Sequence, residues 1–566
     1  MLTPSEVQEI VESHDAYWDG LRPRMKELRA LYLTDFWRNN NRVHDLVLRT
    51  EVPKAYAVVE SYLGSLFAKN PSVQVEADIR ARGNPEVAEA TANQYLLTVR
   101  EQLEDATRLA LIYPCSFIKL APVENVDPLQ RVACSALAPW EVVVDATAGA
   151  WNQQRFIGHS YLVPVYEASE RYGVEESAIN GRPYSKWIDR TDQQGQMTQA
   201  RDTGVDTTDL WCRVVEVYDL RDDKLLVWSP DYDSGKSFIF EGVKVQVGAL
   251  DEEADAEAET PQAELEHETT GIPYKTSSGR PVVPIIPVYL SRDPDTPLRG
   301  YSLLDRSYDQ FRELNVLRTY QSQGVRRMAR QWLVRAGFLD DVGTSKIGQG
   351  LDGEFIEVDL PPGTPLEGNI TPVPNAPIPA DIQLYAETVT SDINDAGLMA
   401  PFTRGEVTKA TATEQRLLAD YTSSEVGRMA RTRDAVITEV ARVYNIILSV
   451  LLGDEAEPLS LPNPIGPTML SADDLTGDFG YWAVDAGSTP MADEVKRNSL
   501  ERLAPVLVQL GADPKAILDE LVRTYDLPRT LAEVLEPEPI AEPQVAPVPG
   551  ELPPEAGIPA LPFPGA

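Results

Sequence analysis

The sequence has little of the chemistry from which metal and redox sites are built. Among its 566 residues are Cys115, Cys134 and Cys212, which form no Cys-x-x-Cys pair. The 4 histidines match no His-Glu-x-x-His or comparable metal-binding spacing. An odd number of cysteines without a paired spacing favours buried free thiols in a reducing compartment over a framework of disulfides. We therefore predict no metal ion and no other cofactor.

Signatures of nucleotide-driven and acyl-transfer catalysis are also lacking. Residues 233–237 read DSGKS, which resembles the end of a phosphate-binding loop, but Pro230 stands where that loop needs glycine. The residues that follow, FIFEGVKV, indicate a strand where the loop requires a helix. No GxGxxG turn opens a helix, and no GxSxG nucleophile elbow is present. We predict a protein that is not an enzyme.

Long apolar runs are missing as well. No stretch of 18 apolar residues is present, and the first residues lack the basic, apolar and small-residue order of a signal peptide. We therefore expect neither a membrane span nor a signal peptide.

Positive charge is scarce. The chain has 51 Lys and Arg against 88 Asp and Glu, a net charge of −37, so phosphate groups are repelled on average. Solubility alone is one interpretation. The other is a surface past which nucleic acid slides without being held.

One segment reverses this trend. Residues 318–335 contain five arginines and no acidic residue: Arg318, Arg326, Arg327, Arg330 and Arg335. Two interpretations stay open, namely salt bridges to acidic neighbouring subunits, or guanidinium groups placed close to passing phosphates.

Two long helical patterns are present, and the first of them overlaps this arginine-rich segment. Residues 303–334 and 413–452 read as two long helices, separated by a proline-dense stretch (353–379) and a shorter helix (380–398). A helix of roughly 30 residues spans about 45 Å, more than a compact domain needs. Earlier helices are predicted from Thr3 and Pro4, with a break or kink near Pro23, and over 54–69 and 85–113.

Strand-like runs lie between these helical regions. They cover 116–123, 141–145, 155–164, three runs within 210–247, and the proline-bearing edge strand or connector 281–290. Residues 251–268 hold nine acidic residues and no Lys or Arg, which predicts a mobile surface loop. The last segment, 537–566, contains ten prolines and predicts a flexible tail. The order of elements predicts an α+β fold.

Four segments together resemble bacteriophage portal proteins, the head-to-tail connectors of tailed phages. They are ESYLGSLFAKNPSVQVEA (60–77), PVVPIIPVYLSRD followed by GYSLLDRSYDQFRELNVLRTYQS, LEGNITPVPNAPIP, and GEVTKATATEQRL. No single motif is as specific as a set of zinc ligands. Their shared order covers some 480 residues and excludes the tail, 537–566.

The resemblance implies a portal-type ring subunit with wing, long-helix stem, small β-containing clip and helical crown. In this sequence it implies an N-terminal wing (1–302), a first stem helix (303–335), the clip (336–379), a second stem helix (380–399), a tunnel loop (400–412), the long kinked helix with the rest of the wing (413–487), the crown (488–536) and the tail (537–566).

The resemblance also implies a function and partners. A portal is a homo-oligomeric ring, usually of twelve subunits, at one capsid vertex of the virion, assembled in the host cytoplasm. Double-stranded DNA passes through it during packaging and ejection. The expected partners are the terminase large subunit, the head-tail adaptor, and the major capsid and scaffolding proteins, with no membrane. Another connector or baseplate subunit is the alternative, and a nucleotide-driven motor or nuclease is a more distant one.

Candidate DNA-channel residues follow from this assignment. Besides the stem arginines, Arg404 and Lys409 flank Gly405 in the expected tunnel loop, although a surface loop with incidental charges would look the same. The candidates are Arg318, Arg326, Arg327, Arg330, Arg404 and Lys409.

The expected clip offers a docking surface. Phe355, Ile356 and Val358 would form a lone hairpin that is marginal in water, so we predict that the clip pairs its strands with those of the next subunit. These three residues are the candidates for partner docking.

Overall fold

A computed structural model describes most of the first 484 residues. The described residues are 2–39, 49–77, 83–123, 125, 127–183, 210–241, 243–246, 266–269, 271–292, 300–328, 332–334, 370–372, 380–396, 412–453, 456–461, 467–477 and 479–484. The chain divides after Gly487 into two units, and every described residue lies in the first. Of the described residues, 53% are helical and 24% lie in strands, which confirms a mixed helix-and-sheet fold.

Ten α-helices are described. In chain order they are α1 (Pro4–Tyr32), α2 (Phe36–Asn39), α3 (Lys54–Leu66), α4 (Pro85–Thr98), α5 (Arg100–Ile112), α6 (Val165–Tyr172), α7 (Tyr308–Met328), α8 (Ala380–Ala396), α9 (Ala412–Leu452) and α10 (Ala472–Leu475).

The described strands are short. They are β1 (Ser72–Ala77), β2 (Ser116–Pro122), β3 (Val132–Leu137), β4 (Val142–Val144), β5 (Phe156–Pro164), β6 (Arg182–Pro183), β7 (Leu210–Asp219), β8 (Lys224–Trp228), β9 (Phe238–Glu241), β10 (Val243–Gln246), β11 (Glu266–Thr269), β12 (Ile285–Val288), β13 (Trp332–Val334), β14 (Ile370–Pro372), β15 (Glu457–Ser460), β16 (Pro467–Leu470) and β17 (Phe479–Val484).

Helix α1 begins as predicted but does not break. Thr3 and Glu6 form the capping box, each side chain bonded to the other's backbone N–H. The helix continues through Pro23 to Tyr32, so of the two expected outcomes at Pro23, a break or a kink, the break is wrong. Trp18 before the proline and Leu28 after it are both buried in the main core, and this packing holds the two halves together.

The predicted helix over 85–113 is two helices. Val99 leaves the helical conformation (φ −100°, ψ 13°) between α4 and α5. The break lets both helices bury their apolar faces, since Leu96 before it and Leu103 after it lie in the same core.

Two antiparallel sheets form the middle of the fold. The larger runs β4-β5-β7-β8-β9, with β6 on β7, and the smaller runs β12-β2-β3. Strand β12 is an edge strand, as its prolines predicted. The DSGKS segment is a short 3₁₀ turn (Asp233–Gly235) followed by β9, which confirms the predicted strand. Glu266–Glu268 of the acidic segment belong to β11, and the rest of the loop predicted there, 251–265, lies outside the described residues.

Helix α9 forms the centre of the main core. Its part Val426–Leu452 is long and apolar enough to cross a membrane by length and composition alone. Within it, the 18-residue window that meets this test is 67% buried inside the fold, as in a buried core helix. Tyr444 stacks on Tyr95 with ring centroids 3.8 Å apart. Asn445 donates to the Ala88 carbonyl at 3.0 Å. The predicted extent, 413–452, is confirmed.

The first long helix is shorter than predicted. Helix α7 ends at Met328, and Trp332–Val334 form β13 rather than a final helical turn. Residues of this β-branched and aromatic type favour strands. Their pairing with Ile370–Pro372 of β14 satisfies the backbone there. The shorter helix ends at Ala396, close to the predicted Leu398.

A buried charged cluster joins the two sheets. Lys119 Nζ of β2 donates to Glu216 Oε2 of β7 at 2.6 Å and contacts His159 Nδ1 of β5 at 2.9 Å. The hydroxyls of Tyr161 and Tyr172 reach Glu216 Oε1 at 2.6 and 3.4 Å. Burying a charge without partners is costly, so these contacts hold the sheets in one relative position.

The surroundings within the cluster lower the pKa values of Glu216 and His159. Burial alone would raise the pKa of Glu216, but the neighbouring Lys119 brings it down to about 2. Burial, reinforced by Lys119, lowers the pKa of His159 to about 3. Both groups therefore bind protons more readily in the unfolded chain than in the folded one.

Acid should lower the stability that this buried cluster gives the protein, and it should do so within a defined pH range. An unfolded histidine has a pKa near 6.5. The free energy of unfolding should therefore fall as pH drops from about 6.5 toward 3, by up to ~1.4 kcal/mol per pH unit, because the unfolded state takes up the proton. Urea unfolding at pH 7, 6 and 5 would measure this slope. His159→Gln should flatten it.

His14→Gln is the matched control, since His14 bonds to the Trp140 carbonyl outside the cluster. If the slope between pH 5 and 7 were the same in the His159→Gln variant and the original protein, the titration assigned to His159 would be wrong.

Candidate functional site: a helical hairpin and its anchors

Helices α7 and α8 form a hairpin. The pairing of β13 with β14 brings the chain that leaves α7 back toward the start of α8. Helix α8 also packs against α7 and against the 3₁₀ turn Leu303–Ser307 that leads into α7. The two helices therefore run antiparallel, and Val389 and Ile393 of α8 share the main core with Phe311 and Leu314 of α7.

The chain enters the hairpin through a tight backbone approach. A Cβ at Gly300 would lie 2.1 Å from the Pro114 carbonyl oxygen and 2.3 Å from that of Ser291, so only glycine fits. Two residues later the Ser302 hydroxyl accepts from Leu304 N and donates to the Leu111 carbonyl. The start of the hairpin is thus fixed to α5.

Helix α1 anchors the base of α7 through one arginine. Arg24 Nε donates to Asp305 Oδ1 at 2.8 Å, and its guanidinium lies 3.3 Å from the centroid of the Tyr308 ring. The Tyr308 hydroxyl donates to Glu27 Oε2 at 2.5 Å. Burial and this bond to Glu27 raise the pKa of Tyr308 to about 12.

Two buried polar residues of α7 hold the segment that precedes α3. Asn315 Oδ1 accepts from Val52 N at 2.9 Å. The Thr319 hydroxyl accepts from Thr50 N at 3.0 Å and contacts the Thr50 carbonyl at 3.1 Å. These side chains satisfy backbone groups that no strand pairs, which explains polar residues on an otherwise apolar helix face.

The opposite side of the hairpin is exposed. Tyr320, Leu384 and Tyr385 have relative exposures of 42%, 61% and 46%. Tyr385 donates to Glu313 Oε1 at 2.8 Å across the two helices. Exposed large side chains therefore occur on both helices of the hairpin, Tyr320 on α7 and Leu384 and Tyr385 on α8.

The described residues include only part of the predicted site. Arg318 lies on α7, exposed, and among the described residues it donates a hydrogen bond to Gln321 at 3.3 Å. Arg326 and Arg327 lie in the last turn of α7. The remaining candidates lie outside the described residues: Arg330, Arg404, Lys409, Phe355, Ile356 and Val358.

The anchoring residues were not predicted from the sequence. The contacts of Arg24, Tyr308 and Thr319 leave no local pattern, because their partners are 281, 281 and 269 residues away in the chain. Polar residues on the buried face of a helix were the available signal.

A cleft of about 510 Å³ lies beside α1 and the turn after β4. Its carboxylate Asp145 accepts from the Arg155 guanidinium and from Thr147, and these bonds lower its pKa to about 2. A general acid or base works best with a pKa near the operating pH. Asp145 therefore fits a structural ion pair. Within the described ranges, no group of three or more His, Cys, Asp or Glu residues could hold a metal ion.

Loss of the Asn315 anchor should loosen the hairpin base. Asn315→Leu leaves the Val52 N–H without its acceptor, and we expect a loss of about 1–3 kcal/mol in the free energy of unfolding. Gln310→Leu, on a half-buried position of the same helix, should change it by roughly 0.5 kcal/mol or less. Urea denaturation of both variants measures the difference. Equal losses would contradict the anchoring role of Asn315.

The sequence matches no protein-family model and no curated protein.

Proposed function

We propose that this protein is a portal subunit, one copy of a ring at the unique capsid vertex through which double-stranded DNA is packaged and ejected. The observation that carries the proposal is the order of elements between residues 300 and 452. The chain runs first through α7 and then through β13 and β14, which pair with each other. The antiparallel helix α8 and the 41-residue helix α9 follow. This order matches the stem, clip, stem and long helix that the sequence resemblance implies.

A helical hairpin on a well-packed base suits a channel wall. The base is held by the ion pair of Arg24 with Asp305 and by the side-chain bonds of Asn315 and Thr319. The outer side carries exposed Tyr320 and Leu384. A ring of such hairpins would bury these side chains between copies and enclose a central passage.

The net charge of −37 suits transport of DNA rather than tight binding. Each phosphate contact adds affinity through release of counterions, so many basic contacts would hold the DNA in place. An acidic wall with few basic positions keeps affinity low. A channel surface that is basic throughout would contradict this part of the proposal.

The proposed partners follow from the portal role. The clip (336–379) would face the terminase large subunit during packaging and the head-tail adaptor afterwards. Major capsid and scaffolding proteins would surround the wing. The finished ring would reside in the virion.

The mass of the native protein is the first test. We expect a species of about twelve times 62.6 kDa with a central hole, measured by native mass spectrometry and imaged by electron microscopy. A protein that stays monomeric at high concentration and in the presence of capsid and scaffolding proteins would contradict the portal proposal. A stack or a closed disc without a passage would favour a baseplate subunit. ATP hydrolysis by the purified protein would favour a motor.

The tunnel loop supplies a second test. Arg404→Ala with Lys409→Ala should shorten or destabilise the packaged genome if these cations contact phosphates, and should leave ring assembly unchanged. Packaged DNA length and its retention in purified heads give the measurement, with Arg404→Lys and Lys409→Arg as the charge-preserving control. Unchanged length and retention would show that Arg404 and Lys409 do not contact DNA in the channel.

A further inference from the structure

A small cavity lies between the C-terminal half of α1, the end of α5 and the 3₁₀ turn Pro139–Glu141. Its volume is about 20 Å³, which is room for one water-sized group. Met25 and three aromatic side chains form its apolar walls, namely Trp18, Tyr113 and Trp140. The rings of Tyr113 and Trp140 meet edge to face, with their centroids 5.1 Å apart. Close packing of these walls makes the cavity a defined part of the fold.

The other residues that line the cavity are all basic. Arg22, Lys26 and Arg29 follow one another at intervals of four and three residues on α1. With Trp18 and Met25 they span an arc of about 100° around the helix, so all five lie on one face. None of the described residues that line the cavity is acidic. In a chain of net charge −37, a cavity lined by three cations and no carboxylate is a local exception.

The hydrogen bonding of Arg22 is incomplete. Its Nη2 donates to Asp19 Oδ1 at 2.7 Å, whereas its Nε is buried and has no acceptor among the described residues. A buried donor without an acceptor is unfavourable. Burial also lowers the pKa of Arg22, and the nearby Asp19 and Asp15 offset this only in part. Because Arg22 lines the cavity, an oxygen atom placed there would supply the missing acceptor.

We propose that this cavity is the inner end of a binding site for a phosphate group. One phosphate oxygen occupies the cavity and accepts from Arg22 Nε, and the other oxygens bond to the half-buried side chains of Lys26 and Arg29. A phosphate monoester has three acceptor oxygens and a charge of about −2, which matches three cations on one helix face. A carboxylate has two oxygens and a single charge, so it would leave one of the cations without a bond.

The net charge of the chain favours a small phosphate compound over the DNA backbone as the source of this group. A DNA duplex carries one negative charge per about 1.7 Å of its axis. A chain of net charge −37 repels such a polyanion over its whole length. A phosphate ion or a small phosphorylated molecule brings only the charge that the three cations compensate. The site therefore differs from the DNA path of the proposed portal, and it does not depend on ring assembly.

Titration of the full-length protein with sodium phosphate at constant ionic strength tests the site. We expect isothermal calorimetry to show saturable binding of one phosphate per chain. Lys26→Gln with Arg29→Gln should weaken this binding at least roughly tenfold, because two of the three charged donors are lost. The matched control is Lys236→Gln with Arg280→Gln. It removes the same two kinds of charge at exposed positions outside the cavity, and it should bind phosphate like the original protein.

Arg22→Lys tests the role of the guanidinium Nε. This variant keeps the positive charge but has no N–H at that position, so binding should again weaken roughly tenfold. Circular dichroism checks that each variant is folded. The proposal is wrong if the original protein binds no phosphate, or if folded Lys26→Gln with Arg29→Gln and folded Arg22→Lys both bind it as the original does. It is also wrong if sodium acetate binds equally tightly, since the site would then accept carboxylates.

A competition experiment identifies the source of the phosphate group. A short DNA duplex should fail to displace phosphate from the original protein, whereas a small phosphate monoester such as glycerol phosphate should displace it. Displacement by the duplex would show that the site binds the DNA backbone, and the assignment to a small phosphate compound would then be wrong.

Discussion

Burial of helix α9 is the constraint on which the rest of the described fold depends. Helices α3, α4 and α10, strands β1, β2, β3, β12 and β17, and the turn before β3 all contact it. Val440, Tyr444 and Ile447 in its C-terminal half are fully buried. Arg433 on the same helix reaches the carbonyl of Leu66 and so closes the end of α3. The long helix is therefore the central element of the described core, and it follows the hairpin in the chain.

The hairpin is attached to this core by two different kinds of contact. Its inner face contributes Phe311, Leu314 and Ile393 to the apolar core, which supplies most of the free energy. Its polar anchors, Asn315 and Arg24, contribute less energy but define position, because hydrogen bonds require specific distances and directions. An apolar contact alone would allow the hairpin to slide or rotate on the core. The polar anchors fix its orientation relative to α1 and to the segment that precedes α3.

Much of the fold could be predicted from local pattern, and the failures have physical causes. The capping box at Thr3, the edge strand β12 and the extent of α9 follow from periodicity and end signals. The continuity of α1 through Pro23 depends on core packing, which local rules do not contain. The β13 strand depends on pairing with residues almost 40 positions away. The buried cluster of Lys119, His159 and Glu216 brings together side chains from three strands, and no local sequence pattern predicts such a contact. The hairpin was predicted as an element, but its anchors were not, since a side-chain bond across some 270 residues leaves no periodic trace.

The pairing of β1 with β17 sets the order in which the protein can be completed. Ser72 pairs with Val484, so one strand of this sheet is synthesised about 400 residues before the other. At typical rates of 5–20 residues per second, the earlier strand waits about 20 to 80 s for its partner. During that time Asn93 and Glu89 of α4 cover its other edge by accepting from Val73 N and Val75 N. The edge of β1 that pairs with β17 thus stays open until the hairpin and α9 have left the ribosome. A chain truncated before β17 leaves that edge unpaired, and an unpaired strand edge is a template for pairing with another chain.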